Sequence, residues 1–414
     1  MTRPKRYDSN HRLLLTGECQ RAGGRYEYKW TDMFGRRHSI YARTLDDLRI
    51  KKDKITLNRL EGIREPPAGL TLERLYDIWK DLKRGIKDTT HANYAYTFDT
   101  FIRPYIGKKL VIQIHRSTIR AFYIKLLDER KLAMGTVENV HTVLHQVLQY
   151  AVDDDYLRKN PCDRIIKELK SSYGNLKCGK RESLTVKQEV AFLRYLYDMP
   201  RFQHWYPTFF IMANTGMRIG ELTGLRWEDI DLDNGFIDIN HTLVYFQHSA
   251  EGCHFTINAP KTENGTRKIV MTQAVKEAFL MEREYQELVG IKSLDTIDGY
   301  SGFVFINVRG HVQNQGALNK AIHRVVDDYN SKVSCDEDKI PHFSCHVLRH
   351  TYATRLIESG ANIKFVQYQM GHSEIQTTMD IYVSVSDDFK QKEIKSFEDY
   401  MNNAFDVSTM KDMV

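Results

Sequence analysis

Ser344-Cys-His346-Val-Leu-Arg349-His350-Thr-Tyr-Ala-Thr-Arg-Leu-Ile-Glu-Ser-Gly360, and after it Tyr368-Gln-Met370-Gly371-His372-Ser373-Glu-Ile-Gln376-Thr-Thr-Met-Asp-Ile-Tyr382, read as helix, helix, turn, helix. In the first stretch His346 and Arg349 stand at i and i+3 and share a helix face, a donor-rich pair suited to one anionic group. His350, at i+4 from His346, also permits a zinc reading, but a catalytic zinc needs three protein ligands and no acidic or cysteine partner is nearby. Gly371 suits the residue that closes a helix. Ser373 with Gln376 spells a capping box for the next helix, so His372 is held in the turn and Tyr382 falls near the following helix end. The C-terminal part of the chain is therefore mainly α.

Upstream, Asn214-Thr-Gly216-Met-Arg218-Ile-Gly-Glu221-Leu-Thr-Gly-Leu225 is a Gly-led turn running into a short helix whose Ile219, Leu222 and Leu225 pack inward. Arg218 stands at its start beside free backbone N–H groups, a place to hold a phosphate. Between the two regions, residues 255–266 and 267–271 read as a hairpin with Lys261 at its turn. Thr185 and Gln188 form a capping box that opens this part of the chain.

Residues 71–169 carry apolar residues at helical spacing almost throughout, a bundle of four helices beginning with Leu72-Glu-Arg-Leu-Tyr-Asp-Ile-Trp79. Lys87, Lys108, Lys109, Arg116 and Arg120 lie in or near its connections, within reach of backbone phosphates. Further upstream, Gly24-Arg25-Tyr-Glu-Tyr-Lys29-Trp30 and Arg36-Arg37-His-Ser-Ile-Tyr-Ala-Arg43 flank a Gly-containing turn and read as a hairpin, with residues 13–15 as a third strand. Arg25, Lys29, Arg36, Arg37 and Arg43 on or near these strands would give a small sheet a cationic face that fits the major groove. Glu65-Pro-Pro-Ala-Gly69 breaks the chain after this module, and the Lys, Ser and Gly of residues 167–181 read as a linker.

The 414 residues predict two or three domains. The expected class is multidomain α+β: a small N-terminal β-sheet domain (1–66), an α-helical bundle (67–170), a linker (171–184), a mainly α domain with a small antiparallel sheet (185–390) and a C-terminal tail helix (391–414). The net charge of +6 is uneven: residues 1–54 carry +7 and residues 71–170 carry +5, while residues 171–414 carry −6. Two basic modules thus precede an acidic one, which points to a polyanion as partner. A mean hydropathy of −0.50 and the lack of an 18-residue uncharged apolar run exclude an ordinary membrane helix. The basic N-terminus is not followed by the apolar stretch of a secretory signal. Six cysteines without C-x-x-C spacing are expected to be reduced thiols of a cytoplasmic protein.

Read in order, Arg218, then His346-x-x-Arg349, then Gly371-His372, then Tyr382 ten residues later resemble the active-site signature of tyrosine recombinases. The family places its catalytic lysine in a hairpin such as the one offering Lys261. The resemblance extends over essentially the whole chain and is to integrases of conjugative transposons and lambda-like phages. It implies an arm-site-binding sheet, a core-site-binding bundle of the SAM-like kind and a catalytic domain that together integrate and excise a mobile element. It assigns Tyr382 as the nucleophile that forms a 3′-phosphotyrosyl link, Arg218 and Arg349 as clamps on the nonbridging oxygens, and His346 as the base. Lys261 becomes the acid on the leaving 5′-oxygen, and His372 a hydrogen-bond donor to the phosphate. It further implies no metal or ATP, double-stranded DNA as partner, a tetramer in the synaptic complex, an excisionase and DNA-bending host proteins, and a DNA-associated location in a bacterial cytoplasm.

Other readings stay open on sequence alone. A type IB topoisomerase uses similar tyrosine chemistry but rejoins the same strand, and two extra DNA-binding modules argue for recombination. The complete residue set argues against a DNA-binding regulator without catalysis. In the tail, Phe389, Ile394, Phe397, Tyr400 and Met401 form an apolar stripe at helical spacing, which suits packing on a neighbouring protomer and on its own domain equally.

Overall fold

Aromatic and β-branched residues alternating with polar ones at 26–31 and 37–42 favour paired strands over helix, and the computed structural model forms them. It describes residues 5–31, 35, 37–64, 67, 69–173, 183–247, 252–259, 265–382, 394–395 and 398–399, with backbone alone at 58, 59 and 382. The chain divides into two compact units, Met1–Cys178 and Gly179–Val414.

In the first unit, strands β1 (Arg6–Tyr7) and β2 (Leu13–Leu14) pair with each other, and β3 (Glu18–Gln20), β4 (Tyr26–Thr31) and β5 (Arg37–Ala42) form an antiparallel sheet in that order. The expected third strand at 13–15 is therefore corrected: Glu18–Gln20 takes that place. A turn at Gly17, with φ +87°, reverses the chain; a Cβ there would lie 2.6 Å from the Lys29 carbonyl oxygen, so the close approach requires glycine. Tyr26 and Ala42 pack against Leu45 and Leu48 of helix α1 (Leu45–Leu60). Buried Glu18 binds Lys52 of α1 at 3.0 Å, with Arg49 at 3.5 Å.

The bundle comprises α2 (Leu72–Leu82), α3 (Asp88–Thr97), α4 (Arg116–Asp128), α5 (Met134–Asp153) and α6 (Ile165–Ser172). Helix α2 starts at an N-cap, the Thr71 hydroxyl accepting from the Arg74 N–H, and buries Leu72, Leu75, Tyr76 and Trp79. Tyr76 stacks on Phe98 with ring centroids 3.8 Å apart. Beyond α3 the chain continues in a π-helical turn, Phe98–Gly107, holding Pro104; proline has no N–H to give to an α-helical ladder. Residues 167–172, expected within a linker, are helical instead, because Ile165 and Leu169, one turn apart, are buried in the bundle core and carry α6 to Ser172; the rest of the expected linker lies largely outside the described residues.

The second unit begins with α7 (Val186–Asp198), whose expected capping box forms: Gln188 N–H donates to the Thr185 hydroxyl and Thr185 N–H to Gln188 Oε1. Its other elements are α8 (Tyr206–Thr215), α9 (Ile219–Gly224), β6 (Ile230–Asp231), β7 (Phe236–Ile239), β8 (Thr242–Gln247), β9 (Cys253–Asn258), β10 (Arg267–Val270), α10 (Gln273–Val289), α11 (Gln315–Asn330), α12 (Cys345–Glu358), α13 (Ile363–Met370) and α14 (Ile375–Tyr382). Phe192, Phe209, Phe279, Ile322 and Leu348 meet in one core that fixes α7, α8, α10, α11 and α12 together. Each such fully buried side chain is worth roughly 1.5–3 kcal/mol of burial.

The hairpin expected around Lys261 is a different arrangement. Strand β9 pairs with β8, while β10 pairs with β7, Ile269 opposite Ile237. Alternation decides this: Arg267 and Ile269 of β10, with Met271 just after it, are buried, so that strand belongs to the core sheet β10-β7-β6. No helix among the described residues is long and apolar enough to cross a membrane.

Candidate active site

Helix α8 ends where Gly216 takes a left-handed conformation, φ +63°, and a Cβ there would lie 2.4 Å from the Tyr352 ring. That glycine lets the chain turn straight into α9 and points the Gly216 carbonyl at Arg349. Gly371, φ +60°, closes α13 as the sequence suggests, its N–H returning to the Tyr368 carbonyl. The box expected from Ser373 and Gln376 is not where the helix begins: α14 starts at Ile375, and the Gln376 amide donates to Asp380 Oδ1 at 2.9 Å.

Three arginines from distant segments converge on the C-terminus of α13. Arg267 Nε donates to the Gln369 carbonyl at 2.9 Å, Arg349 Nη2 to the Met370 carbonyl, and Arg218 Nη2 to the Gly371 carbonyl at 2.6 Å. These consecutive carbonyls lack helical partners and carry the negative end of the helix dipole, which suits cations. Arg349 also donates to the Gly216 carbonyl at 2.5 Å. Its hydrogen bonds thus go to neutral carbonyls. Burial first, and then the charges of Arg218 and Arg267, depress its guanidinium to about 9 against the pull of Glu221.

Glu221, buried, sits between two of these cations. Its carboxylate accepts from Arg218 Nη1 at 2.7 Å and from Arg267 at 2.9 and 3.2 Å in a bidentate fork. Burial pushes this carboxyl up, but the Arg267 hydrogen bonds and the charges of Arg267, Arg218 and Arg349 outweigh it and hold it low. Glu221 Oε2 also takes the Arg218 backbone N–H at 2.9 Å. The N–H group expected to await a phosphate at the start of α9 is thus already paired within the protein.

His372 is buried in the turn, its Nδ1 3.0 Å from the hydroxyl of buried Thr378 on α14. Burial, then the charges of Arg349, Arg218, Arg267 and His346, drive its imidazole down to about 4. His346 is exposed on α12, one turn before Arg349. The α14 backbone carries position 382 one turn beyond Thr378. Lys261 lies outside the described residues. The structure thus brings Arg218, Arg349 and His372 together, with His346 and the backbone of Tyr382 on the adjoining helices.

Sequence reasoning gave no role to Glu221 and Arg267. The available signal for Arg267 was a charge on the inward parity of a strand with Ile269 and Met271, and for Glu221 an acid one turn after Arg218 in an apolar helix. Among the described residues, no three His, Cys, Asp or Glu side chains are grouped to hold a metal ion.

In the first unit, register places Lys29, Arg37, Ser39 and Tyr41 on one face of the β3-β4-β5 sheet, opposite Tyr26, Tyr28 and Trp30. Arg25, just before β4, is exposed, as is Lys29, which lies 3.8 Å from Glu27. Arg36 is outside the described residues. Lys87 and Lys108 are exposed in the bundle's connections. Arg116 is exposed too, but its guanidinium is engaged by Glu168 at 2.6 Å and by the Asp163 carbonyl.

Residues 182–388 match the model of the phage integrase family, residues 2–62 the DNA-binding domain of the Tn916 integrase, and residues 71–127 the N-terminal SAM-like domain of phage integrases. The chain is 30% identical over 407 residues to the transposase from transposon Tn916 of Enterococcus faecalis, covering 94% of this chain and 96% of that one. The chain belongs to the phage integrase family. It is a tyrosine-type site-specific recombinase of α+β fold. The recombinase is also 25% identical over 309 residues to the ICEBs1 integrase of Bacillus subtilis, covering 74% of this chain and 77% of that one. A Tn1549 transposon integrase solved in complex with transposon right end DNA superposes with a TM-score of 0.69 at 29% identity, over 79% of this chain and 99% of that one. A lambda integrase tetramer bound to a Holliday junction shares the fold, with a TM-score of 0.50 at 18% identity over 88% of this chain and 94% of that one.

Proposed function

We propose that this recombinase integrates and excises a mobile element of the conjugative-transposon kind by cutting and rejoining double-stranded DNA at Tyr382. The observation that carries the reading is the pair Arg218 and Arg349, whose charges remain after Glu221 is matched by Arg267, held at the α13 terminus beside His372 and ahead of the helix ending at Tyr382. A phosphodiester repels nucleophiles and gains a further negative charge in its pentacovalent transition state. Two guanidiniums meet that charge without a metal, and fixed donors cost no reorganisation during the reaction.

The Tyr382 phenolic oxygen attacks phosphorus, forming the P–O(tyrosyl) bond as the P–O5′ bond breaks, so the bond energy is conserved and no ATP is needed. A phenol with a reference pKa of about 10 needs help to lose its proton; His346 accepts it. Lys261 gives a proton to the departing 5′-oxygen. His372 acts as the Nε2–H tautomer, its Nδ1 facing the Thr378 hydroxyl at 3.0 Å and its Nε2–H donating to a nonbridging oxygen. A 5′-hydroxyl from the partner duplex then reverses the step and exchanges the strand.

Residues 1–66 bind arm-type sites through Arg25, Lys29, Arg36 and Arg37. Residues 67–170 bind core-type sites with Lys87, Lys108 and Arg116, after release of Arg116 from Glu168. Residues 185–390 are catalytic, reached through a linker at 171–184, and the tail at 391–414 follows. A tetramer forms on DNA in the bacterial cytoplasm, assisted by an excisionase and DNA-bending proteins. The Tyr382→Phe protein is expected to keep its DNA affinity yet leave no covalent protein–DNA adduct on a nicked suicide duplex from the element's end. An adduct at wild-type yield would sink the assignment of the nucleophile.

A further inference from the structure

The recombinase site holds a third arginine that the reaction described above does not use. The Arg267 side chain has no solvent exposure, against 40% for Arg218, and its guanidinium is committed to partners inside the protein. Every polar contact it makes is internal: the Gln369 and Gly265 carbonyls and the bidentate fork to Glu221. Glu221 in turn binds Arg218 through both its guanidinium and its backbone N–H.

Without Arg267, Arg218 would be the one guanidinium left hydrogen-bonded to the buried carboxylate, which would compete with the phosphodiester for it. With Arg267, three guanidiniums face one carboxylate and a net of two positive charges remains. Those are the two charges that the dianionic phosphorane calls for. We infer that Arg267 is a positioning residue for strand cleavage: by neutralising Glu221 and anchoring the Gln369 carbonyl, it keeps the Arg218–Arg349 pair free to hold the phosphate. The inference rests on the recombinase reading of this site.

Charge balance is what Arg267 supplies, so a decisive test restores that balance without the original bonds. Full-length protein is compared as wild type, Arg267→Met, Arg267→Lys, Glu221→Gln and the Arg267→Met/Glu221→Gln double variant. The readouts are single-turnover adduct formation on the nicked suicide duplex, DNA affinity and thermal melting. Arg267→Met is expected to slow adduct formation about tenfold to hundredfold, with DNA affinity within about threefold of wild type because the Arg267 side chain has no exposed surface to offer DNA. The double variant removes the orphaned carboxylate too and is expected to recover about tenfold of that loss. A residue that merely held the fold would give the opposite result, since the double variant has fewer bonds still.

A double variant as slow as Arg267→Met, or Arg267→Met at the wild-type rate, overturns the inference. Should Arg267→Met melt below the assay temperature, Arg267→Lys decides. Lysine keeps the charge but not the fork, so cleavage must stay within about tenfold of wild type if charge balance governs, and a larger drop overturns the inference. Wild type and Tyr382→Phe, run alongside, read the recombinase assignment itself. If wild type forms no adduct, that reading fails and takes this inference with it; if wild type and Arg267→Met cleave equally, only the role of Arg267 falls.

Discussion

His372 sits buried among the charges of three arginines, its Nδ1 3.0 Å from the Thr378 hydroxyl. Burial and those charges settle it as a neutral imidazole, its pKa depressed from 6.5 to about 4. A group whose folded pKa lies below its unfolded value contributes stability above the unfolded value, and for His372 that stability is lost as pH falls from about 6.5 toward 4. In the free protein the His372 ring resonances are therefore expected to stay at their neutral position down to pH 5, identified by their disappearance in His372→Gln. Arg218→Ala should move the midpoint upward by removing one of the charges that depress it. A midpoint at pH 6 or above in the wild type would contradict the buried, cation-flanked site. At this scale the order and spacing of Arg218, His346, Arg349, His372 and Tyr382 were legible, because each lies in a local helix or turn motif. Glu221 and Arg267 were not, because their role exists only once β10 pairs with β7 and brings together residues 46 apart in the chain.

Strands β4 and β5 show how much an element reveals. Period-2 alternation along β4 separates Lys29 from Tyr26, Tyr28 and Trp30, but it takes the register, Thr31 opposite Arg37 and Lys29 opposite Ser39, to put Arg37 on the Lys29 face. Lys29→Ala/Arg37→Ala should weaken binding to an arm-type duplex. It should also lower the slope of log affinity against log salt by about 0.9 for each phosphate that is no longer neutralised. An unchanged slope, measured by band shift between 50 and 200 mM salt, would mean that this face does not meet the DNA backbone. Three local readings were overturned, each for a tertiary reason. The short β3 is defined by its partner β4 rather than by its own three residues. The strands flanking Lys261 look like one hairpin until the inward parity of Arg267, Ile269 and Met271 assigns β10 to the core sheet. Helix α6 is held by Ile165 and Leu169 against a bundle core that composition cannot display.

For the molecule as a whole, the modest net charge conceals a division of labour: the two basic stretches precede an acidic one that nonetheless gathers three arginines around α13. The N-terminal sheet has a small core of its own, Tyr26, Ala42, Leu45 and Leu48, and the bundle core shares none of those residues. Near residue 66 the contacts between them among the described residues include the Arg64 N–H to the Asp155 carbonyl at 2.9 Å, the Arg64–Asp155 ion pair at 3.8 Å and a half-exposed Arg158–Glu61 pair at 2.7 Å. Such a surface pair is worth roughly 0–1 kcal/mol, so removing the N-terminal module leaves the bundle's interior closed. Deleting residues 1–66 should therefore abolish binding to arm-type sites while a nicked core-site duplex is still cleaved to a covalent adduct. The two activities would part because one depends on the cationic sheet face and the other on the bundle and the α13 site. If the truncated protein keeps its melting temperature but forms no adduct either, the N-terminal module takes part in catalysis, and the assignment of separate arm and core functions must be withdrawn.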